Sequence, residues 1–151
     1  MTEQQKTIRP EDQPGFFVLK HYLTDMSFEN PRGPLEERQC ADIKKKLTVG
    51  VDTREEQEAD MVLLTLSLEA QYQGRIVFLC DISYCAHVRM NKIPEQMKAQ
   101  ILHVSVPTSL IPFLNNAIDH AARAAGYPGL KIGDIDFMGL YQEKNRKQQV
   151  H

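Results

Sequence analysis

The amino-acid sequence predicts an α+β fold in which a four-stranded antiparallel sheet is followed by a long helix and a C-terminal helix. Three observations lead there. Apolar and polar residues alternate through most of 43–90, a hairpin-length gap at Gln73-Gly74 divides the two longest alternating rows, and beyond Pro107 the apolar spacing changes to three and four. A chain that lays down strands first and helices afterwards covers one face of its sheet with those helices.

The first strand is expected over Phe16–Leu23, where aromatic and apolar residues crowd together without helical spacing. Pro31, Gly33 and Pro34 then break regular structure and force a long, irregular crossing. From Ile43 to Val51 the apolar residues Ile43, Leu47, Val49 and Val51 take odd positions, with Lys45 the exception. Val62, Leu64, Leu66, Leu68, Ala70 and Tyr72 form the cleanest row. Phe78, Cys80, Ile82, Tyr84, Ala86 and Val88 share one parity in the fourth strand. The long helix is expected over Pro107–Ala125, with Pro107 near its start, Gly126 in the left-handed cap position and Pro128 just beyond. Its length would be roughly 28 Å, enough to cross four strands. Pro112 should distort its first turns, and a separate short helical piece is expected over Pro94–Leu102. Asp134 or Asp136 can cap the last helix. The whole forms one domain, 16–142, between a flexible N-terminal tail, 1–15, and a flexible polar tail, 143–151.

A formal charge of −2 removes the broad basic field that nucleic-acid binding requires, so no nucleic-acid partner is expected. The first fifteen residues lack the apolar core of a secretory signal, and no apolar run approaches membrane-spanning length, so no direct membrane insertion is expected. Cys40, Cys80 and Cys85 are an odd set without paired-motif spacing, which suits a reducing, cytoplasmic compartment. The phosphate-loop, nucleophile-elbow and metalloprotease signatures are absent, and no enzyme activity or cofactor is expected. Asp81, Cys85 and His87 alternate onto one strand face, but three side chains spread along one strand are too far apart for a zinc site. Cys80, in the apolar row, reads as a small buried hydrophobe.

Four separated stretches carry a family resemblance: Asp25-Met26-Ser27-Phe28-Glu29-Asn30-Pro31; Phe78-Leu79-Cys80-Asp81; Pro107 with Ile111-Pro112-Phe113; and Gly126-Tyr127-Pro128 with Asp136-Phe137-Met138-Gly139-Leu140-Tyr141. In order and spacing over nearly the whole chain they resemble the SecB family of protein-export chaperones. The resemblance implies a homotetramer, a dimer of dimers, that holds unfolded precursor polypeptides and passes them to the SecA translocase ATPase. It places SecA contact at Asp25, Glu29, Leu79 and Asp81. Leu35, Phe78, Tyr127, Leu130, Ile132, Phe137 and Tyr141 become candidates for an unfolded-peptide groove, and Cys80, Ile82 and Tyr84 for the oligomer interface. The chain departs from the family pattern at Cys85-Ala86-His87, where glycines are common, at Val106-Pro107 in place of Cys-Pro, and in the basic stretch Lys144-Asn145-Arg146-Lys147. These departures leave room for a SecB-like chaperone with a narrower client, such as an antitoxin.

Two readings from other classes compete. A small-ligand enzyme or carrier of the hot-dog type would place its central helix early, whereas the long helix here follows all four strands. An adaptor for one folded partner would bind selectively instead of holding unfolded chains in general.

Overall fold

The period-two rows become long strands because each buries one face. The computed structural model describes residues 13–149 and contains β1 (Gly15–Glu29), α1 (Glu37–Cys40), β2 (Lys44–Arg54), β3 (Asp60–Tyr72), β4 (Arg75–Asn91), α2 (Glu95–Gln100), α3 (Val106–Ala124) and α4 (Phe137–Gln149). The strands form one antiparallel sheet in the order β1-β4-β3-β2. Since β1 and β2 are successive in sequence yet occupy opposite edges, residues 30–43 must cross the end of the sheet, a span of about 14 Å at ordinary strand spacing. The loop-forming Pro31, Gly33 and Pro34 serve that crossing.

Val62, Leu64, Leu66, Leu68 and Ala70 are all buried, as are Phe78, Cys80, Ile82, Tyr84, Ala86 and Val88. Both rows point at the helices. In β2, Leu47, Val49 and Val51 pair with Leu68, Leu66 and Leu64 and extend the same apolar surface.

The first strand runs six residues further than the sequence pattern suggests, to Glu29. Its register slips twice against β4, at Leu19 and at Thr24. Each slip is a β-bulge, one extra residue that reverses which parity faces the helices. The inward set therefore reads Phe16 and Val18, then His21 and Leu23, then Met26 and Phe28, as the register partners Met90, Val88, Ala86, Tyr84, Ile82 and Cys80 show. Such a strand has no continuous alternation to detect.

The separate helical piece and the late helix start expected near Pro107 are corrected by the structure. Helix runs continuously from Glu95 to Ala124, with one wide π turn at Ile101–Ser105 joining α2 to α3. Pro107 has no N–H to donate, and the preceding turn closes instead through Val106 N–H to Ile101 O. Pro112 lies inside α3 without ending it. By length and apolar composition the Glu95–Ala124 run passes as a membrane span, a test that the core helix of a sheet also passes. Here Leu102, Val106, Leu110, Leu114, Ile118 and Ala122, four apart, are buried in the core against the sheet. The C-terminus closes with Gly126 at φ +95°, Gly126 N–H to Arg123 O and Tyr127 N–H to Ala122 O, the paired bonds of a Schellman cap.

Asp136 caps α4, accepting from the Gly139 amide at 3.0 Å. The helix then continues through residues 143–149, so the flexible tail expected from 143 is helical as far as Gln149. Glu, Lys, Arg and Gln are strong helix formers, and Lys147 pairs with Glu143 one turn back at 3.6 Å. The remaining tail residues, 1–12 and 150–151, lie outside the described residues.

Candidate functional site

At the end of the sheet crossed by residues 30–43, Phe78 is sandwiched between two rings. Phe28 stacks on it with centroids 5.1 Å apart, and Tyr127 meets it at 5.0 Å and 58°. Beside this stack opens a cavity of about 300 Å³ lined by Cys40, Ile43, Lys45, Phe78, Tyr127 and Leu130, among others. Its walls are held by polar bonds between residues far apart in sequence. Asn30 Nδ2 donates to Ala125 O at 3.1 Å, and the Tyr127 hydroxyl lies 2.9 Å from Asn30 Oδ1 and 3.2 Å from Gly33 O. One hydroxyl proton serves either acceptor, so the crossing loop and the helix cap are tied as a unit.

The segment after Tyr127 is strapped back along α3. Asp119 Oδ1 accepts from the Leu130 amide and Asn115 Oδ1 from the Ile132 amide, both at 2.8 Å. Gly129, at φ +68°, passes so close that a β-carbon would meet Arg123 Nη2 at 2.6 Å and Asp119 Oδ1 at 2.8 Å. The Arg123 side chain first, and the Leu130 amide second, hold the Asp119 carboxyl below the ordinary carboxylate range. A depressed carboxyl pKa contributes stability that is present above the unfolded value and is lost as pH falls through the folded one. Protection of the Leu130 amide from hydrogen exchange is therefore expected to fall below about pH 4, and to be weak at every pH in Asp119→Ala. Equal protection in both proteins would break the assigned bond.

A second open cavity, about 380 Å³, lies between β2 and α4, lined by Val49, Val51, Asp52, His103, Leu140, Tyr141, Lys144 and others. The His103 ring stacks on Tyr141 with centroids 5.3 Å apart. Burial, reinforced by Lys144, lowers the His103 pKa, which keeps the ring neutral near pH 7. β2 is an edge strand, so the backbone groups on its outer side are unpaired by the sheet.

The opposite face of the sheet carries a different surface. Glu29 stands opposite Leu79, Ser27 opposite Asp81 and Asp25 opposite Ser83. The bulge at Thr24 puts Asp25 there: without the extra residue Asp25 would fall opposite Ile82, in the core. Thr24 Oγ1 secures the bulge by donating to Ser83 O at 3.0 Å. Asp25, Glu29 and Asp81 are exposed and Leu79 is half-buried.

The profile of the family described as preprotein translocase subunit SecB matches residues 9–148. The chain belongs to the SecB family. It is 30% identical to the protein-export protein SecB of Bradyrhizobium diazoefficiens over 140 residues, covering 91% of this chain and 86% of that one. Identity to the protein-export protein SecB of Hyphomonas neptunium is also 30%, over 92% of this chain and 84% of the relative. Among solved structures, a Mycobacterium tuberculosis SecB-like chaperone in complex with a ChAD peptide from the HigA1 antitoxin shares the fold. Its TM-score is 0.68 at 14% identity, over 80% of this chain and 91% of that one.

The SecB fold gathers the expected groove residues unevenly. Phe78, Tyr127 and Leu130 line the cavity at the sheet end, and Tyr141 the one beside β2. Leu35 lines a neighbouring cleft. Ile132 and Phe137 are core residues, 6% and 2% exposed. The expected interface residues Cys80 and Ile82 are likewise buried within one chain, at 1% and 2%, so any effect on assembly passes through the helix that covers them. Tyr84 is also buried, at 7%, and touches more exposed neighbours: its hydroxyl lies 2.6 Å from His21 Nδ1, and its ring faces Phe113 at 6.2 Å. Asp81, Cys85 and His87 do not converge. Cys85 Sγ is 3.9 Å from His87 Nε2, whose nearer partner is the Tyr22 hydroxyl at 2.9 Å, and no metal-binding group of three forms among the described residues.

Sequence reasoning missed Cys40, Ile43 and Lys45 as cavity residues. Lys45 left a signal. It interrupts the inward row of β2 because its position, opposite Ala70, opens onto the cavity instead of the packed core.

Proposed function

We propose that this SecB-family chain is a cytoplasmic holding chaperone that binds unfolded precursor polypeptides in the groove formed by the two cavities and delivers them to the SecA translocase ATPase. The open cavity beside the buried Phe78 carries this reading, because its half-buried Cys40, Ile43 and Leu130 offer apolar surface to a guest without enclosing it. The free edge of β2 adds backbone donors and acceptors, so that an extended guest is held by main-chain bonds whatever its sequence. Asp52, His103, Glu143 and Lys144 line the cavity beside β2, but no hydrogen bond joins them into a relay among the described residues, and no reaction is proposed. Three free thiols, on Cys40, Cys80 and Cys85, suit a reducing cytoplasm.

The patch of Asp25, Glu29, Leu79 and Asp81 is the proposed SecA contact, an acidic and apolar surface for a basic partner segment. Assembly as a dimer of dimers is supported by apolar surface left uncovered near the β1 edge and on α3: Leu19 is 49% exposed, Leu23 45% and Phe113 42%. Light scattering after size exclusion, with titration of an unfolded precursor and of the same protein folded, tests the reading. A tetramer that binds only the unfolded form is expected; a monomer indifferent to unfolded chains would end it. Asp81→Lys is expected to weaken SecA binding roughly tenfold at low salt, less at high salt, with precursor affinity unchanged. Unchanged SecA affinity would remove the proposed contact.

A further inference from the structure

The outer face of the sheet continues past the proposed SecA contact onto the two strands beyond β4. The register of the strands arranges it in three rows. Glu29, Leu79 and Glu69 stand side by side on β1, β4 and β3; Ser27, Asp81, Ser67 and Thr48 form the next row; Asp25, Ser83, Thr65 and Gly50 form the third. Leu68 and Ala70, the chain neighbours of Glu69, are buried in the core, so Glu69 itself is on the outer face. Leu79 therefore has a carboxylate on each side. At ordinary strand spacing the two are about 10 Å apart at the backbone, with the half-buried leucine between them. Lys46 is the other cross-strand neighbour of Glu69, yet among the described residues no ion pair joins them, and the carboxylate is left for a partner.

Beyond Asp81 the face is hollowed. Gly50 brings no side chain to the end of its row, and a β-carbon there would meet Thr65 Oγ1 at 2.7 Å. The opening, about 280 Å³, is lined by Thr48, Gly50, Thr65, Ser67, Asp81 and Ser83, among others. Thr65 Oγ1 donates its proton to Gly50 O at 3.4 Å, which leaves its lone pairs free to accept. The hydroxyls of Thr48, Ser67 and Ser83 rotate to accept as well, and Asp81 supplies the only charge in the lining. Hydroxyl acceptors around one carboxylate suit a cation, and a compact ammonium with three donors to distribute fits them best.

We propose that SecA docks across the whole width of this sheet face, with Glu29 and Glu69 bracketing Leu79 and a lysine of the same basic segment seated in the Gly50 hollow against Asp81. The proposal rests on the SecA reading above and widens that contact to β3 and β2. Charge complementarity and continuity with the patch on β1 and β4 name the occupant. Each exposed carboxylate gives a modest gain, since solvent and salt screen it.

The test titrates purified SecA into the full chain by calorimetry at low and high salt, with affinity for an unfolded precursor and the thermal midpoint as controls. Glu69→Gln is expected to weaken SecA binding roughly two- to fivefold at low salt and Glu69→Lys about tenfold, with both gaps narrowing as salt rises. Ser67→Tyr, at an exposed strand position, puts a neutral ring over the hollow and should weaken SecA binding without any change of charge. Glu58→Lys, in the turn before β3 and roughly 30 Å from Glu69 at strand rise, alters the net charge as Glu69→Lys does and should shift the affinity by less than about twofold. Native SecA affinity in the Glu69 variants or in Ser67→Tyr, with Asp81→Lys still weakened, overturns the widened contact and leaves the SecA reading standing. An equal loss in Glu58→Lys overturns it too, since net charge and not place would then be read. A Glu69 variant that loses thermal stability or precursor binding together with SecA binding assigns the residue to folding and removes it from the contact. If neither Asp81→Lys nor the Glu69 variants weaken SecA binding, the SecA reading fails and the widened contact with it.

Discussion

Replacing Phe78 with alanine is expected to cost about 3–5 kcal/mol of folding stability. Phe78 is 1% exposed and touches Phe28 and Tyr127 ring to ring, so truncation removes both aromatic contacts and leaves a hole where the crossing loop, β4 and the helix cap meet. Domains of this size hold about 5–15 kcal/mol in all, so the loss is a large share of the total. Denaturant unfolding followed by circular dichroism measures it. Phe78→Leu keeps most of the volume, so stability should largely recover. An unchanged unfolding midpoint in Phe78→Ala would mean the ring is not packed as described.

The second large effect is expected from Cys80→Tyr. Cys80 faces the helices, 1% exposed, between its cross-strand partners Phe28 and Leu68. Burial pushes its thiol up to about 11, in keeping with an inert, apolar setting. A tyrosine there overfills the core by a whole ring, about 1–3 kcal/mol, and buries a hydroxyl without a partner, about 1–3 kcal/mol more. The helix above must lift, and the exposed Phe113 moves with it, so size exclusion should show a smaller assembly. Cys80→Val, near the original volume, should change little. A tyrosine variant with native stability and native size would show that Cys80 does not sit under the helix.

The central strands were readable because each is half-buried: alternation through Val62–Ala70 and Phe78–Val88 is the direct imprint of one face on the core. β1 was readable only as far as Leu23. Two bulges flip its parity, and no local rule places a bulge, which forms where twist and register against β4 require it. The helix start was misread at Pro107 for a related reason. Proline ordinarily marks a helix beginning, and here packing against the sheet carries the helix through it by widening one turn.

The candidate site divides along the same line. Phe78 and Tyr127 belong to stretches that resemble the SecB family, and Lys45 announced itself by breaking a row. Cys40 and Ile43 left no such trace. They stand far in the chain from Tyr127 and Leu130, and line one cavity with them because the loop that carries them crosses the end of the sheet on its way to the far edge.

What the sequence determined alone was the central strands and the long helix, the inward rows of β2, β3, β4 and that helix, and the family, because strand and helix periods of 2 and 3.6 residues are written locally. The tertiary structure decided which distant residues come together: Asn30 with Tyr127, Asp25 with the outer face, Cys40 and Leu130 around one cavity. These pairings depend on the path of one crossing loop and on two single-residue bulges, and such long-range geometry follows from the packing of the whole chain.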